Sequence, residues 1–149
     1  MRHLRNISKL GRNCGHRKAL LVNLACSLIE HGQIKTTINR AKETRKMVDA
    51  LITYAKKGGD HNRRLAIRKL KLNTPAEQLQ GKKLVLDKLF GELAEAYAGR
   101  PGGYTRIVHL GHRVGDGAQF VLIQLVEAAG KKDEKPAAEA TVEAEAKAE

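Results

Sequence analysis

The side chains best suited to chemistry in this sequence are the cations of its first 18 residues. Residues 1–18 hold six lysines or arginines and no carboxylate, and the first acidic residue of the chain is Glu30. Few sizeable apolar side chains accompany them, so we expect an arm without a fixed shape of its own. The charge pattern predicts that this arm binds nucleic acid by neutralising phosphates. The predicted contacts in the arm are Arg2, His3, Arg5, Lys9, Arg12, Asn13, His16, Arg17 and Lys18.

The arm leads into a predicted helix whose first turn is itself suited to anions. Four leucines at helical spacing form an apolar stripe, Asn13 or Cys14 is suited to the N-cap region, and Gly32 is suited to the C-terminal end. Arg17 and Lys18 then lie in the first turn, where cations face the positive end of the helix dipole at a cost of a few tenths to about 1 kcal/mol. Because a helix N-terminus also binds anions, polyphosphate bound nearby explains this arrangement best.

A second group of candidate residues lies around two consecutive glycines late in the chain. Gly102-Gly103 permits positive φ and close approach of another surface, and we expect Tyr104 and Arg106 on one face of the strand that follows. Two interpretations remain open: a helix-to-strand connection that requires glycine, or a loop pressed against an RNA backbone with Arg106 on a phosphate. The further predicted RNA contacts are Lys35, Arg63, Arg64, Gly102, Gly103, Tyr104, Arg106 and Arg113.

The excess of positive charge extends over the whole region that we expect to fold. The chain has 149 residues, with 28 Lys or Arg and 16 Asp or Glu, and a net charge of +12. The last 19 residues hold 4 basic and 6 acidic residues, so residues 1–130 carry +14. A basic arm alone can serve solubility, but a charge of this size repels itself and favours an anionic partner. Aromatic residues make up only 3% of the chain, which is a poor fit to base stacking and favours recognition of phosphates and RNA shape.

Other kinds of site are poorly supported. Three glycines between positions 111 and 117 lack the Gly-x-Gly-x-x-Gly spacing and precede a strand, which argues against a dinucleotide loop. Cys14 and Cys26 fit no structural zinc spacing and no disulfide framework, which indicates a reducing compartment.

No clustered acid–base set is visible, so we expect no enzyme activity, cofactor, metal or small-molecule substrate. No apolar run reaches the length of a membrane span, and the N-terminus does not read as a signal peptide.

The apolar patterns predict the elements that must position these candidates. We expect strands over residues 33–38, 104–110 and 118–127, and helices over residues 19–31, 40–57, 61–72 and 82–98. The last strand is apolar on both faces and should be central, paired with the preceding strand through a turn at Asp116-Gly117. Gly58-Gly59 should end the second helix, Asp60 should cap the third, and residues 73–81 should form a loop.

These elements predict an α+β fold in a small two-layer domain. The predicted order is helix, strand, three helices and two strands, with the helices packed on a three-stranded mixed sheet. The chain after Gly130 is rich in Lys, Glu and Ala and has no core-forming stripe, so we expect a disordered tail. The predicted division is a basic N-terminal arm over residues 1–18, the α+β domain over residues 19–128 and the disordered tail over residues 129–149.

Short motifs along the chain resemble one known family. They are Met1-Arg2-His3, Leu10-Gly11-Arg12-Asn13, His16-Arg17, Ile34-Lys35-Thr36-Thr37, Ala41-Lys42-Glu43, Arg63-Arg64-Leu65-Ala66, Leu89-Phe90, Gly102-Gly103-Tyr104-Thr105-Arg106-Ile107 and Gly115-Asp116. In this order and spacing, from Met1 to about Glu127, they resemble the bacterial large-subunit ribosomal protein family numbered seventeen. The chain departs from that family in residues 73–81, which look longer than usual, and in the tail after Gly130.

The resemblance implies a structural component of the large ribosomal subunit that binds large-subunit ribosomal RNA and supports translation in the cytoplasm. It also implies neighbouring large-subunit ribosomal proteins as partners, and a position on the solvent side near the polypeptide exit region. The charge alone fits an alternative, a free-standing nucleic-acid-binding regulator or nucleoid-type protein. Such a regulator normally has a helix-turn-helix or a symmetric dimer surface, and neither is evident in the sequence.

Overall fold

The elements follow one another in the predicted order in a computed structural model that describes residues 8–71 and 80–126. They are α1 (Cys14–His31), β1 (Gln33–Thr37), α2 (Ile38–Lys57), α3 (Gly59–Lys69), α4 (Gln80–Lys88), a π-helical turn (Leu89–Leu93), α5 (Ala94–Ala96), β2 (Thr105–His112) and β3 (Gln119–Leu125). The α+β class is confirmed. The predictions for residues 1–7, for most of the loop at 73–81 and for the tail lie outside the described residues.

Helix α1 has the caps that its sequence predicts. The Asn13 side chain accepts a hydrogen bond of 2.9 Å from the His16 backbone N–H. Gly32 ends the helix in the left-handed conformation, with its N–H 2.9 Å from the Leu28 carbonyl oxygen. Because the helix already begins at Cys14, the last residues of the predicted arm, up to position 18, are helical.

The sheet is antiparallel throughout, in the order β1-β3-β2. The predicted central position of the last strand is confirmed, and it agrees with the apolar residues on both faces of that strand. The predicted mixed sheet is wrong. The helices between β1 and β2 do leave these two strands parallel to each other, but β3 inserts between them, so each adjacent pair is antiparallel. The Leu125 N–H donates to the Gly32 carbonyl oxygen at 2.8 Å and joins the end of β3 to the start of β1.

The core lies between the helices and one face of the sheet. Its largest fully buried side chains are Leu28, Ile29, Val48, Leu51, Ile52, Leu70, Leu89, Val121 and Ile123. Burying one such side chain stabilises the fold by about 1.5–3 kcal/mol relative to leaving it in water. Residues that alternate with the buried ones on β3 point to the opposite side of the sheet, which the helices do not cover.

The junction between α2 and α3 differs from the prediction. Gly58 has φ of 61° and is the N-cap of α3, and Asp60 lies in the first turn. The Asn62 side-chain amide donates to the Gly58 carbonyl oxygen at 2.6 Å. The predicted cap at Asp60 is therefore wrong, because the helix starts two residues earlier than predicted and this carboxylate complements the helix dipole instead.

The last helix contains a turn that its apolar spacing does not reveal. Helix α4 continues into the π-helical turn Leu89–Leu93, which accommodates one extra residue, and α5 completes the helix. Leu86 and Tyr97 of the predicted apolar stripe are buried. The Tyr97 hydroxyl donates to the Val126 carbonyl oxygen at 2.6 Å, which ties the end of this helix to the end of β3.

Candidate nucleic-acid interface

The arm joins the fold through a short ordered turn formed by residues 8–13, which we call the arm root. The Ser8 N–H donates to Glu43 Oε1 on α2 at 3.4 Å. Leu10 has φ of 54°, a left-handed conformation that costs a non-glycine residue roughly 1–2 kcal/mol. Arg12 folds back so that its Nη1 donates to the Leu10 carbonyl oxygen at 2.8 Å. These contacts hold Ser8 on α2 and Arg12 on the backbone of Leu10.

Glu43 is a shielded carboxylate at the arm root. Its side chain is only 12% exposed, and Oε1 also forms an ion pair of 3.0 Å with Lys46. The Nε atom of Arg12, in the same arm root, is buried and has no hydrogen-bond partner among residues 8–71 and 80–126. The carboxylate is thus engaged by Ser8 and Lys46, while one donor of the arm root is left unsatisfied.

Six predicted contacts lie together in the arm root and the start of α1: Lys9, Arg12, Asn13, His16, Arg17 and Lys18. Lys9, His16 and Lys18 are exposed, whereas Arg12 and Arg17 are partly buried. The first turn of α1 contains no acidic residue. The positive end of the helix dipole and the cationic side chains therefore coincide, as the sequence predicts. The remaining predicted contacts of the arm, Arg2, His3 and Arg5, lie outside the described residues.

Arg63 and Arg64 are exposed on α3. Arg63 Nη2 lies 3.5 Å from Asp87 Oδ1, and the Arg63 guanidinium carbon lies 5.9 Å from the centre of the Phe90 ring. Because both charged groups of this pair are about half exposed, the ion pair contributes at most about 1 kcal/mol. Arg63 nevertheless joins α3 to the last helix, a structural role that the sequence analysis missed.

The segment after Gly102-Gly103 is a structural connection that leads into the core. The second of these glycines has φ of 66°, a conformation that favours glycine. Tyr104 is only 2% exposed, and its ring centre lies 5.3 Å from that of Tyr97. The predicted placement of the Tyr104 and Arg106 side chains on one face is wrong, because the two tyrosine rings pack together inside the fold. Arg106 itself is exposed.

The side of the sheet opposite the helices, which we call the sheet face, carries further predicted contacts. Its outward residues include Gln33, Lys35, Phe120, Leu122, Gln124, Arg106 and Val108, and Arg113 follows at the end of β2. In the register, Lys35 and Val108 both pair with Leu122, and Gln33 and Arg106 both pair with Gln124. The three strands contain no acidic residue, so this face is cationic at its edges and apolar in the middle.

Two cations lie over the Phe120 ring on the sheet face. Lys35 Nζ is 4.9 Å and the Arg113 guanidinium carbon is 5.2 Å from the ring centre. Two hydrogen bonds hold Arg113 on the Asp116 carboxylate, one of them 2.8 Å long from Nε to Oδ1. Hydrogen bonding to Arg113, with a smaller contribution from the Ala118 N–H, holds the pKa of Asp116 well below its usual range. The sequence analysis missed Phe120 because β1 and β3 are far apart along the chain.

A partly buried carboxylate lies between α2 and β2, outside both surfaces. Asp49 Oδ2 is 3.8 Å from Arg45 Nε, but Asp49 Oδ1 and Thr105 Oγ1 are buried without a hydrogen-bond partner within the described part of the chain. Burial raises the pKa of Asp49, while the positive charge of Arg45 and, to a smaller extent, the nearby Thr105 hydroxyl oppose this effect. The ionised carboxylate is therefore poorly accommodated at this position.

The described residues contain neither a metal-binding cluster nor a membrane-spanning helix. Within residues 8–71 and 80–126, no group of three or more His, Cys, Asp or Glu side chains is arranged to hold a metal ion. No helix in the same residues has the length and apolar character needed to cross a membrane. Cys14 is exposed and is not joined to Cys26 in a disulfide.

Comparison with known proteins identifies the family of this chain. It is 50% identical over 127 residues to large ribosomal subunit protein bL17 of Erythrobacter litoralis, covering 85% of this chain and 84% of that protein. It is 47% identical over 146 residues to the protein of the same name from Akkermansia muciniphila, covering 98% and 100% of the two chains. Residues 20–126 match the family described as ribosomal protein L17. The chain therefore belongs to the ribosomal protein L17 family, a family of structural, non-enzymatic ribosome components.

Proposed function

We propose that this protein is a structural component of the large ribosomal subunit in the bacterial cytoplasm and binds large-subunit ribosomal RNA through its N-terminal arm and the start of α1. The observation that carries this proposal is the capped first turn of α1, which has no carboxylate and follows directly on a cationic arm. The names of the relatives support the assignment to the large subunit. Neighbouring large-subunit proteins are the further partners that this assignment entails.

The first turn of α1 is suited to a phosphate group. Asn13 satisfies the His16 N–H, and the N–H groups that precede it lie outside the helical hydrogen-bond ladder. Arg17 and Lys18 oppose the helix dipole in the free protein. A bound phosphate offsets this repulsion, because its negative charge is attracted both by the helix dipole and by the two cations.

The arm root lowers the cost of binding. Ordering one residue of a free chain costs about 1–2 kcal/mol in backbone entropy. Because Ser8 is already held by Glu43 and Arg12 by the Leu10 carbonyl oxygen, these residues do not contribute that cost when RNA binds. In this proposal the cations of residues 1–7 contact RNA, and Ser8 is the fixed point from which they extend.

Affinity in this proposal comes mainly from counterion release, and specificity comes from the shape of folded RNA. The exposed cations Arg64 and Arg106 extend the contact beyond the arm. Phosphate contacts of this kind predict a steep salt dependence, with the logarithm of affinity falling by roughly 0.7–0.9 per contact for each tenfold increase in salt.

Binding of the full chain and of a variant that lacks residues 1–12 to a large-subunit ribosomal RNA transcript tests the proposal. The deletion removes four lysines or arginines, so we expect the salt slope to fall by about 3 and the affinity at moderate salt to fall by about a hundredfold or more. Lys57→Gln, at an exposed cation outside the predicted contacts, is the control and should change the slope by less than about 1. Equal affinity and slope for the deletion and the full chain would contradict the proposal.

Sedimentation of cell lysate in a sucrose gradient separates a ribosomal component from a free-standing regulator. We expect the chain to migrate with large subunits both in low salt and at about 0.5 M salt, where screening leaves only a short Debye length. Migration in the light fractions at both salt concentrations would instead favour a soluble nucleic-acid-binding regulator.

A further inference from the structure

We propose that the sheet face binds one unstacked nucleotide of the RNA, with its base on the Phe120 ring and its phosphate at Lys35. This inference rests on the proposed function, since it adds a second contact with the same RNA. It differs in kind from the arm contact, because a stacked base contributes affinity that salt does not screen.

The surroundings of Phe120 leave room for a base. In the strand register, the residue of β2 opposite Phe120 is Gly111, which follows an irregularity in the pairing after His109. A side-chain carbon placed on Gly111 would meet nothing within 4 Å, so no side chain crowds this position of β2. Phe120 itself is only partly buried, although it belongs to the central strand.

The two cations beside the ring have different freedom of movement. Lys35 has a flexible chain, and the interaction described for its ammonium is the one with the Phe120 ring, at 4.9 Å. It can therefore move to a phosphate oxygen and uncover the ring. Arg113 is held over the ring by two hydrogen bonds to Asp116 and keeps its place, so an incoming base takes the position that Lys35 leaves. Asp116 acts here as a positioning residue.

The charge and polarity of the sheet face favour RNA over a protein neighbour. Its three strands carry no carboxylate, and the Asp116 carboxylate that follows β2 is already paired with Arg113, so the face suits a phosphate better than an incoming basic protein. The row next to Lys35 consists of Gln33, Gln124 and Arg106, whose amide and guanidinium groups suit base edges and phosphate. A single ring limits the site to one nucleotide, which agrees with the low aromatic content of the chain.

Substitutions of Phe120 separate stacking from charge. Phe120→Leu keeps an apolar side chain and removes the aromatic face, so we expect about a tenfold loss of affinity for the ribosomal RNA transcript with an unchanged salt slope. Phe120→Tyr keeps the ring and should remain within about twofold of the unchanged protein. Lys35→Gln should reduce the salt slope by about 0.7–0.9.

Thermal unfolding of each variant shows whether it is folded. If Phe120→Leu fails to fold, Lys35→Gln and the crosslink described next decide the question.

Photocrosslinking of the full chain to RNA that contains 4-thiouridine locates the contact. We expect a crosslink on the β3 peptide that contains Phe120. Full affinity of Phe120→Leu, together with a loss on deletion of the arm, would overturn the nucleotide site and leave the proposed function intact. A full chain that does not bind ribosomal RNA would overturn both. A defect of Phe120→Leu only in recruiting a neighbouring ribosomal protein would assign the face to protein and overturn the inference.

Discussion

The arm root and the sheet face are both cationic, but their cations are held in different ways. At the arm root, a shielded carboxylate on α2 holds the backbone of Ser8, and the exposed cations follow along the chain. On the sheet face, the strands fix the backbone, and Asp116 holds the side chain of Arg113 itself. One surface is built to direct a chain segment, and the other is built to fix the position of a single group.

This difference determines how each surface responds to substitution. A change at the arm root alters the path of several cations at once, so its effect on affinity should exceed that of the single residue replaced. A change on the sheet face alters one side chain, because the hydrogen bonds of the strands remain. The following substitutions test this contrast.

Asn13→Ala has the largest expected effect of the substitutions in this series. It removes the side-chain cap of α1, which costs about 1 kcal/mol and lowers Tm by roughly 2–4 °C for a chain of this size. Asn23→Ala is the matched control, since Asn23 is exposed inside the same helix and alanine there should raise stability slightly. Calorimetry measures both. An equal effect of the two substitutions would mean that the cap does not stabilise the start of α1.

Glu43→Ala tests whether the arm root directs the arm. The variant loses the acceptor for the Ser8 N–H but gains one unit of net positive charge, so charge alone would raise RNA affinity. We expect affinity to fall about threefold, or about 0.7 kcal/mol, and proteolysis near position 8 to accelerate. Glu95→Ala gains the same charge at an exposed position and should bind slightly more tightly. Tighter binding by both variants would show that the arm root does not direct the arm.

Asp49→Asn should stabilise the protein without changing RNA affinity, because this carboxylate belongs to neither surface. Its pKa is raised by burial, so the ionised form disfavours the folded state. The unchanged protein loses stability as pH rises from 3.8 through the folded pKa, and the variant avoids this loss. After allowance for the partial exposure of Asp49, we expect Tm to rise by roughly 2 °C at pH 7 and the difference to vanish near pH 3. A variant that is less stable at pH 7 would contradict the pKa direction.

Asp116→Asn has the smallest expected effect. The pKa of Asp116 is lowered in the folded state, so its contribution is present above pH 3.8 and is lost only as pH falls through the lower folded value. Because the pair with Arg113 is exposed, Tm should change by less than about 1 °C at pH 7. RNA affinity should fall about twofold, because Arg113 is no longer held beside Phe120. A larger loss of stability would show that Asp116 fixes the whole hairpin.

Features set by neighbouring residues could be predicted from the sequence. The Asn13 cap and the Gly32 stop depend on contacts within one turn of helix. The central position of β3 follows from its own apolar residues. The family motifs added the ribosomal assignment, which composition and periodicity do not contain.

Features that join distant parts of the chain could not be predicted. Tyr104 follows two glycines and precedes Arg106, as an exposed contact would, but its pairing with Tyr97 buries it. The contact between Ser8 and Glu43 and the cluster around Phe120 each join elements that only the folded chain brings together. Charge patterning locates cations along a chain but does not show which of them are already engaged.

The strand order has a consequence for folding of the chain during its synthesis. Gln33 pairs with Gln124, and Thr37 pairs with Phe120, so β1 finds its partner only after almost the whole domain has been synthesised. During translation, α1 and α2 therefore emerge with apolar surface that the central strand will later cover, and such surface is prone to aggregation. Because this pairing is so distant in sequence, it should also be a slow step of folding. The nascent chain therefore keeps this apolar surface exposed until β3 has left the ribosome that synthesises it.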